Sequence, residues 1–194
     1  MKSALKVDSK IQQSLKYLLK ELGEDVNREG LLETPKRYEK QLRENLKGYL
    51  ENPENHVKLF DNDNYHDLVV VSKIAFSSMC EHHILPFYGY VDIAYIPGKK
   101  ILGLSKFARI VAVFSKRLQV QERLTKQLAH FLYDNLEPEF IMVHISAAHT
   151  CMTVRGVEKH DSVTDTIATL GDKQPTAKQY AKFLKHLSSI KSSI

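Results

Sequence analysis

The order of periodicities along this 194-residue chain predicts an α+β fold: a helical arm, then strand, strand, helix, helix, strand, strand. Three observations carry that reading. Apolar residues recur at helical spacing from Ile11 to Tyr49, and from Leu68 the pattern turns to β-branched runs bounded by turn residues. Two apolar helical stripes then separate the first pair of strands from the second. A helix pair on one face of an antiparallel sheet is a stable two-layer arrangement. It leaves the other face and the sheet edges for something else to bury, and partner subunits are expected there.

The elements follow in order. Residues from Asp8 to Gly23 read as an amphipathic helix, with Ile11, Leu15, Leu18, Leu19 and Leu22 on one side and Gly23 as its stop. A second helix starts at Thr34-Pro35, with Thr34 as N-cap, and carries Tyr38, Leu42, Leu46 and Tyr49. Glu51 to Asn64 reads as a loop, so the arm is assigned to 1–64 and the main domain to 65–194. Strands are expected at Leu68–Ala75 and Phe87–Ile96, with Cys80, His82 and His83 in the loop between them. A helix from Ser105 presents Phe107, Ile110, Val111 and Phe114, and another carries Leu124, Leu128, Phe131, Leu132 and Leu136. Strands return at Phe140–Ala148 and Val163–Leu170, and a helix from Thr176 through Tyr180, Phe183, Leu184 and Leu187 closes the chain.

Bulk properties exclude several classes. Met1-Lys2-Ser3-Ala4-Leu5-Lys6 leads into a polar helix rather than an apolar signal core, and no apolar run approaches the ~20 residues of a membrane span. A cytoplasmic protein without membrane association is expected, where metal binding or catalysis is a better use of two cysteines than a Cys80–Cys151 bridge. The net charge of +5 is spread along the chain and suits a polyphosphorylated metabolite as well as nucleic acid. No nucleic-acid module is recognisable, so none is expected as a partner.

The chemistry lies in Cys80-Glu81-His82-His83 and His149-Thr150-Cys151, which place both cysteines beside histidines. Thiolate and imidazole are zinc ligands, and three protein ligands with one open position mark a catalytic site. The set read from these segments is Cys80, His83 and Cys151 on zinc, with His82 and His149 as acid–base groups. His149 and Cys151, two apart on a strand, are expected to share a face. His144, mid-strand, reads as a satisfied packing residue, and no third cysteine exists for a closed structural site. Ser105, Lys106 and Arg109 at a helix start form a candidate anion cradle, and Arg37 and Lys40 repeat the spacing in the earlier helix. Gln121 and Glu122 offer an amide and a carboxylate that suit an amidine-type edge such as that of guanine.

Several ordered motifs now coincide: Ser78-Met79-Cys80-Glu81-His82-His83, Ala94-Tyr95-Ile96-Pro97-Gly98, Gly103-Leu104-Ser105-Lys106, Gln119-Val120-Gln121-Glu122-Arg123-Leu124-Thr125 and His149 through Val157. Together they resemble type I GTP cyclohydrolase, in register over roughly Glu33 to Gly171. The resemblance implies the tunnelling fold, ββααββ, assembled as a decamer of two pentameric rings with the active site between subunits. It implies conversion of GTP and water to 7,8-dihydroneopterin triphosphate and formate, the entry to folate or tetrahydrobiopterin. Carried over, zinc sits on Cys80, His83 and Cys151, and water attacks C8 of guanine while His149 and His82 transfer protons. Glu122, with Gln121, holds the guanine edge. Ser105, Lys106, Arg109 and Arg155 take the triphosphate, with Arg37 and Lys40 reaching it from a neighbour. Two departures stand out: Asp161 and Asp165 occupy a stretch usually rich in Gly, Ser and Thr, and Thr150 replaces a bulkier residue.

Other readings are a related cyclohydrolase that stops at another product, and a non-catalytic zinc or nucleotide-binding module. A nucleobase deaminase needs a Pro-Cys-x-x-Cys pair that this chain lacks.

Overall fold

The computed structural model describes residues 9–181, 183 and 184, and the chain divides into two compact units, 1–46 and 47–194. The first unit holds α1 (Lys10–Glu21) and α2 (Thr34–Asn45), packed on each other. Ser9 caps α1 by accepting from the Gln12 amide, and its hydroxyl donates to Glu39 on α2 at 2.7 Å. Gly23, at φ 86, carries the chain out of the helix. Thr34 is not the N-cap of α2. Glu33 holds that position without a side-chain bond, and the Thr34 hydroxyl instead donates to the Gly30 carbonyl.

The second unit runs β1 (Leu59–Asp61), β2 (Val69–Cys80), β3 (Pro86–Ile96), β4 (Lys100–Leu102), α3 (Leu104–Ser115), β5 (Leu118–Gln119), α4 (Gln121–Leu136), β6 (Phe140–His149), α5 (Thr150–Thr153) and β7 (Val163–Leu170). The main sheet has the order β5-β2-β3-β6-β7, antiparallel except for the β5–β2 pair, and β1 pairs with β4 in a separate ribbon. The expected loop before residue 65 therefore contains a strand, and the unit boundary falls before Gly48, whose amide donates to the Lys116 carbonyl. These extra strands span two or three residues, too short to show a period.

Alternation along each strand sorts the core. Val91, Ile93, Tyr95, Ile141, Val143 and Ile145 face α3 and α4, where they meet Phe107, Ile110, Leu124, Leu128 and Leu132. Each fully buried side chain of this kind contributes roughly 1.5–3 kcal/mol. The opposite face buries Leu68, Ala94, Ile96, Phe140 and Met142 with Phe183, which stands in the expected last helix; residues 177–181, 183 and 184 are helical, and Leu187 lies outside the described residues. A β-bulge interrupts β2 between Val71 and Ile74, with Lys73 at φ 56, and the Asp92 carboxylate accepts from the Lys73 amide at 2.9 Å. β3 and β6 approach closely at Gly89, where a Cβ would stand 1.9 Å from the Ser146 carbonyl oxygen, so glycine is required there. Among the described residues, no helix is long and apolar enough to cross a membrane.

Candidate metal centre

Cys80 is the last residue of β2, not part of a loop as its sequence context suggests. Its amide donates to the Leu85 carbonyl and its carbonyl accepts from Ile84, which closes a tight turn with Ile84 at φ 54. The Glu81 amide donates to Gln119 on β5 at 3.1 Å, tying the turn to the start of α4. The Glu81 carboxylate also grips the Arg123 guanidinium through two bonds of 2.5 and 2.8 Å. On the other side, β6 ends at His149, paired with Phe87, and the chain turns at once into the single turn α5. His149 and Cys151 thus do not share a strand face: Cys151 is helical and swings back toward the turn.

The consequence is a cluster of Cys80, His83 and Cys151 whose ligand atoms all lie within 4.8 Å of one another. A tetrahedral site with bonds of about 2.0–2.3 Å needs ligand atoms roughly 3.3–3.8 Å apart, so small movements complete it. The donor chemistry fits a soft divalent cation. Burial and the neighbouring Cys80 push the Cys151 thiol above its ordinary value, because two adjacent thiolates repel without a cation between them. Arg155 donates to His83 Nε2 at 2.7 Å. His82 is exposed on the same turn, its Nδ1 3.9 Å from Cys80 Sγ.

His149 is fixed from two sides. Its ring stacks on Phe87 at 4.7 Å with 3° between planes, and its Nε2 lies 2.8 Å from Gln121 Oε1. The Gln121 amide nitrogen is surrounded by acceptors: the Ile145 carbonyl at 3.0 Å, the Thr164 carbonyl at 2.9 Å and Thr166 Oγ1 at 3.1 Å. Oε1 must therefore face the histidine, which donates its Nε2–H and keeps a lone pair on Nδ1. Burial lowers the His149 pKa, against the opposing charge of Glu122, so the ring is neutral at pH 7. Gln121 is 1% exposed, and its side chain is spent on these bonds; it stands behind His149 rather than at an open guanine edge. Glu122 is exposed and lines an open cavity of about 690 Å3 with Phe114, Val120, Arg123, Lys126, His130 and Phe131.

Ser105, Lys106 and Arg109 do not join this site within one chain. β2 runs from the Pro97-Gly98 end of the sheet, where Val69 pairs with Tyr95, to Cys80 at the other. The last turn of α3 lies at the Cys80 end, where Lys116 donates to Ser77, so its first turn with Ser105 and Lys106 points away. The helix spans ~18 Å. Arg109 is exposed partway along it. Arg37, in the first unit, donates to the Gly30 carbonyl and the Thr34 hydroxyl, and Lys40 is exposed.

The Glu81–Arg123 fork and Phe87 went unread in the sequence. Phe87 looks like any strand aromatic until the β3–β6 register sets it opposite His149, and the fork joins residues with no linear relation.

The family described as GTP cyclohydrolase I matches residues 11–188. GTP cyclohydrolase 1 of Bacillus subtilis is 46% identical over 178 residues, covering 91% of this chain and 94% of that protein. The enzyme of the same name from Streptococcus suis is 49% identical over 162 residues, covering 83% and 87%, and that from Clostridium kluyveri is 47% identical over 164 residues, covering 84% and 89%. With the family matched over most of its length and the expected sheet and helix pair in place, the chain belongs to the GTP cyclohydrolase I family and has its tunnelling fold.

Proposed function

We propose that this protein hydrolyses GTP at C8 of guanine, releasing formate and forming 7,8-dihydroneopterin triphosphate. The observation that carries the reading is the Cys80–His83–Cys151 cluster with a neutral, oriented His149 beside it. Cys80, His83 and Cys151 would hold zinc, which would supply an acidified water at cellular pH. His149, neutral with a free Nδ1, accepts a proton as the imidazole ring of guanine opens, and His82 at the exposed rim donates to the leaving nitrogen. Glu122 holds the guanine edge from the mouth of the cavity, and Gln121 keeps His149 in its working tautomer. Arg155 sits close enough to the ligand turn to meet a phosphate.

Ser105, Lys106 and Arg109 take the triphosphate from the neighbouring copy, because within one chain their helix starts at the far end of the sheet. A ring of subunits laid side by side satisfies both ends at once, in keeping with a decamer of two pentamers. Arg37 and Lys40 reach the same phosphates from a further subunit, and the reaction runs in the cytoplasm, where the thiols stay reduced.

The test is incubation of the metal-loaded protein with GTP, following formate and, after oxidation, pterin fluorescence. Both products, lost together in Cys151→Ser, support the reading. Formate without pterin identifies an enzyme that stops after ring opening. Neither product from a zinc-loaded oligomer leaves a binding module.

A further inference from the structure

The helix-free face of the sheet carries a charged cluster that the reaction does not use. His144, on β6, lies between Asp92 on β3 and Asp165 on β7: Nδ1 is 3.2 Å from Asp92 Oδ2 and Nε2 is 2.9 Å from Asp165 Oδ1. His144 and Asp92 are 5% and 2% exposed. A carboxylate only accepts, and a neutral imidazole carries one N–H. Both bonds therefore require the doubly protonated ring. The other Asp92 oxygen accepts from the Lys73 amide at the bulge, which fixes that carboxylate from β2. Among the described residues, Tyr90, opposite Ser146, and Tyr88, opposite Ala148, are further titratable side chains paired on this face, and the closing segment contributes Phe183.

Within one chain β7 is an outer strand of the sheet, and its two faces do different things. Asp165 turns toward His144, while Thr164 and Thr166 on the same strand hold the Gln121 amide, whose oxygen receives the His149 proton. We propose that His144 is a positioning residue: in its charged form it ties β7 to β6 and β3, which keeps Thr164 and Thr166 on Gln121 and, through it, His149 in place. This rests on His149 being the proton-transfer group of the site.

A pH dependence follows. Burial opposes the charge on His144, but bonds to Asp92 and then Asp165 outweigh it and hold the pKa above the ordinary 6.5. A group raised in the folded state contributes its full stabilisation below the unfolded value and loses it as pH rises through the folded one. The clamp therefore loosens on the alkaline side, and β7 opens there first.

Amide hydrogen exchange of the full-length, metal-loaded protein reads the clamp directly. Protection factors of Val163–Leu170 are compared with those of Val69–Cys80 from about pH 6 to 9. In the natural protein β7 should lose about tenfold relative to β2, the change in an opening equilibrium that follows one pH decade of linkage. His144→Gln should begin low and stay flat. Asp165→Asn is the rescue, because a side-chain amide can donate to a neutral imidazole that still donates to Asp92. It should keep β7 protected at high pH, and its kcat should exceed that of the natural protein there, with KM for GTP unchanged within about twofold. Parallel loss of β7 protection in the natural protein and Asp165→Asn, or a flat profile in the natural protein, overturns the clamp. The expected exchange behaviour without any kcat difference overturns the positioning role. Absence of turnover in every variant counts against the cyclohydrolase reading instead, since exchange needs no turnover.

Discussion

β6 carries two histidines whose surroundings drive them in opposite directions. His149 lies between an aromatic ring and an amide oxygen, where burial lowers its pKa and leaves it neutral. His144 lies between two carboxylates, which raise its pKa despite deeper burial. The same side chain on the same strand serves as a proton acceptor at one end and a fixed cation in the middle. Burial alone decides neither role; the partner on each ring nitrogen does. A neutral amide fixes a tautomer, whereas paired carboxylates demand both protons.

The sharpest break of this contrast is His149→Ala. Removing the proton acceptor should cost about 10²–10⁴ in kcat for formate release, the usual contribution of a positioned acid–base group. KM for GTP should change little and thermal stability hardly at all, because His149 is only half-buried at the end of its strand. Formate release at the natural rate from a GTP-binding His149→Ala protein would remove His149 from the mechanism.

Gln121→Leu tests the neighbour rather than the histidine. The substitution strips His149 of its Nε2 partner and leaves the Ile145 and Thr164 carbonyls short of a donor, at about 1–3 kcal/mol for each buried group left unpaired. A fall of roughly 10–100-fold in kcat with an unchanged KM is the signature of lost orientation. A rise in KM with kcat intact would instead mean that Gln121 touches guanine, the role its position beside Glu122 first suggested.

Much of this was legible in the sequence. The strands at residues 86–96 and 163–170 and the helices of the main domain follow from period and breakers, since burial on one face imposes that period. The clustering of Cys80, His83 and Cys151 was readable because thiolates and imidazoles are too costly to gather without use. What escaped notice came from register. Cys80 looked like a loop residue because Ser77, Ser78 and the turn behind it mask a strand that β5 extends by a parallel pair. His144 looked like packing and Asp165 like a stray departure from relatives. Only the β3–β6–β7 alignment sets them, with Asp92, within bonding distance. Short strands and pairwise bonds across a sheet leave no trace in a single window of sequence.

The smallest expected effect sharpens the contrast from the other unit. Glu39 accepts from the Ser9 hydroxyl, from the Gln12 amide and from Arg43, and its pKa falls to about 2. Like His144 it is held in its charged form by several partners at once, but Glu39 gathers donors where His144 gathers acceptors. A carboxylate depressed in the folded state contributes stability present above the unfolded value of 4.5 and lost as pH falls toward about 2. Glu39→Gln should therefore leave stability at pH 7 only slightly lower and flatten its decline in acid, read as the pH slope of the α1–α2 unfolding transition. The effect should shrink further in high salt, because the Arg43 partner of Glu39 is exposed. An acid slope as steep in Glu39→Gln as in the natural protein would mean that these donors do not hold the Glu39 carboxylate in its charged form.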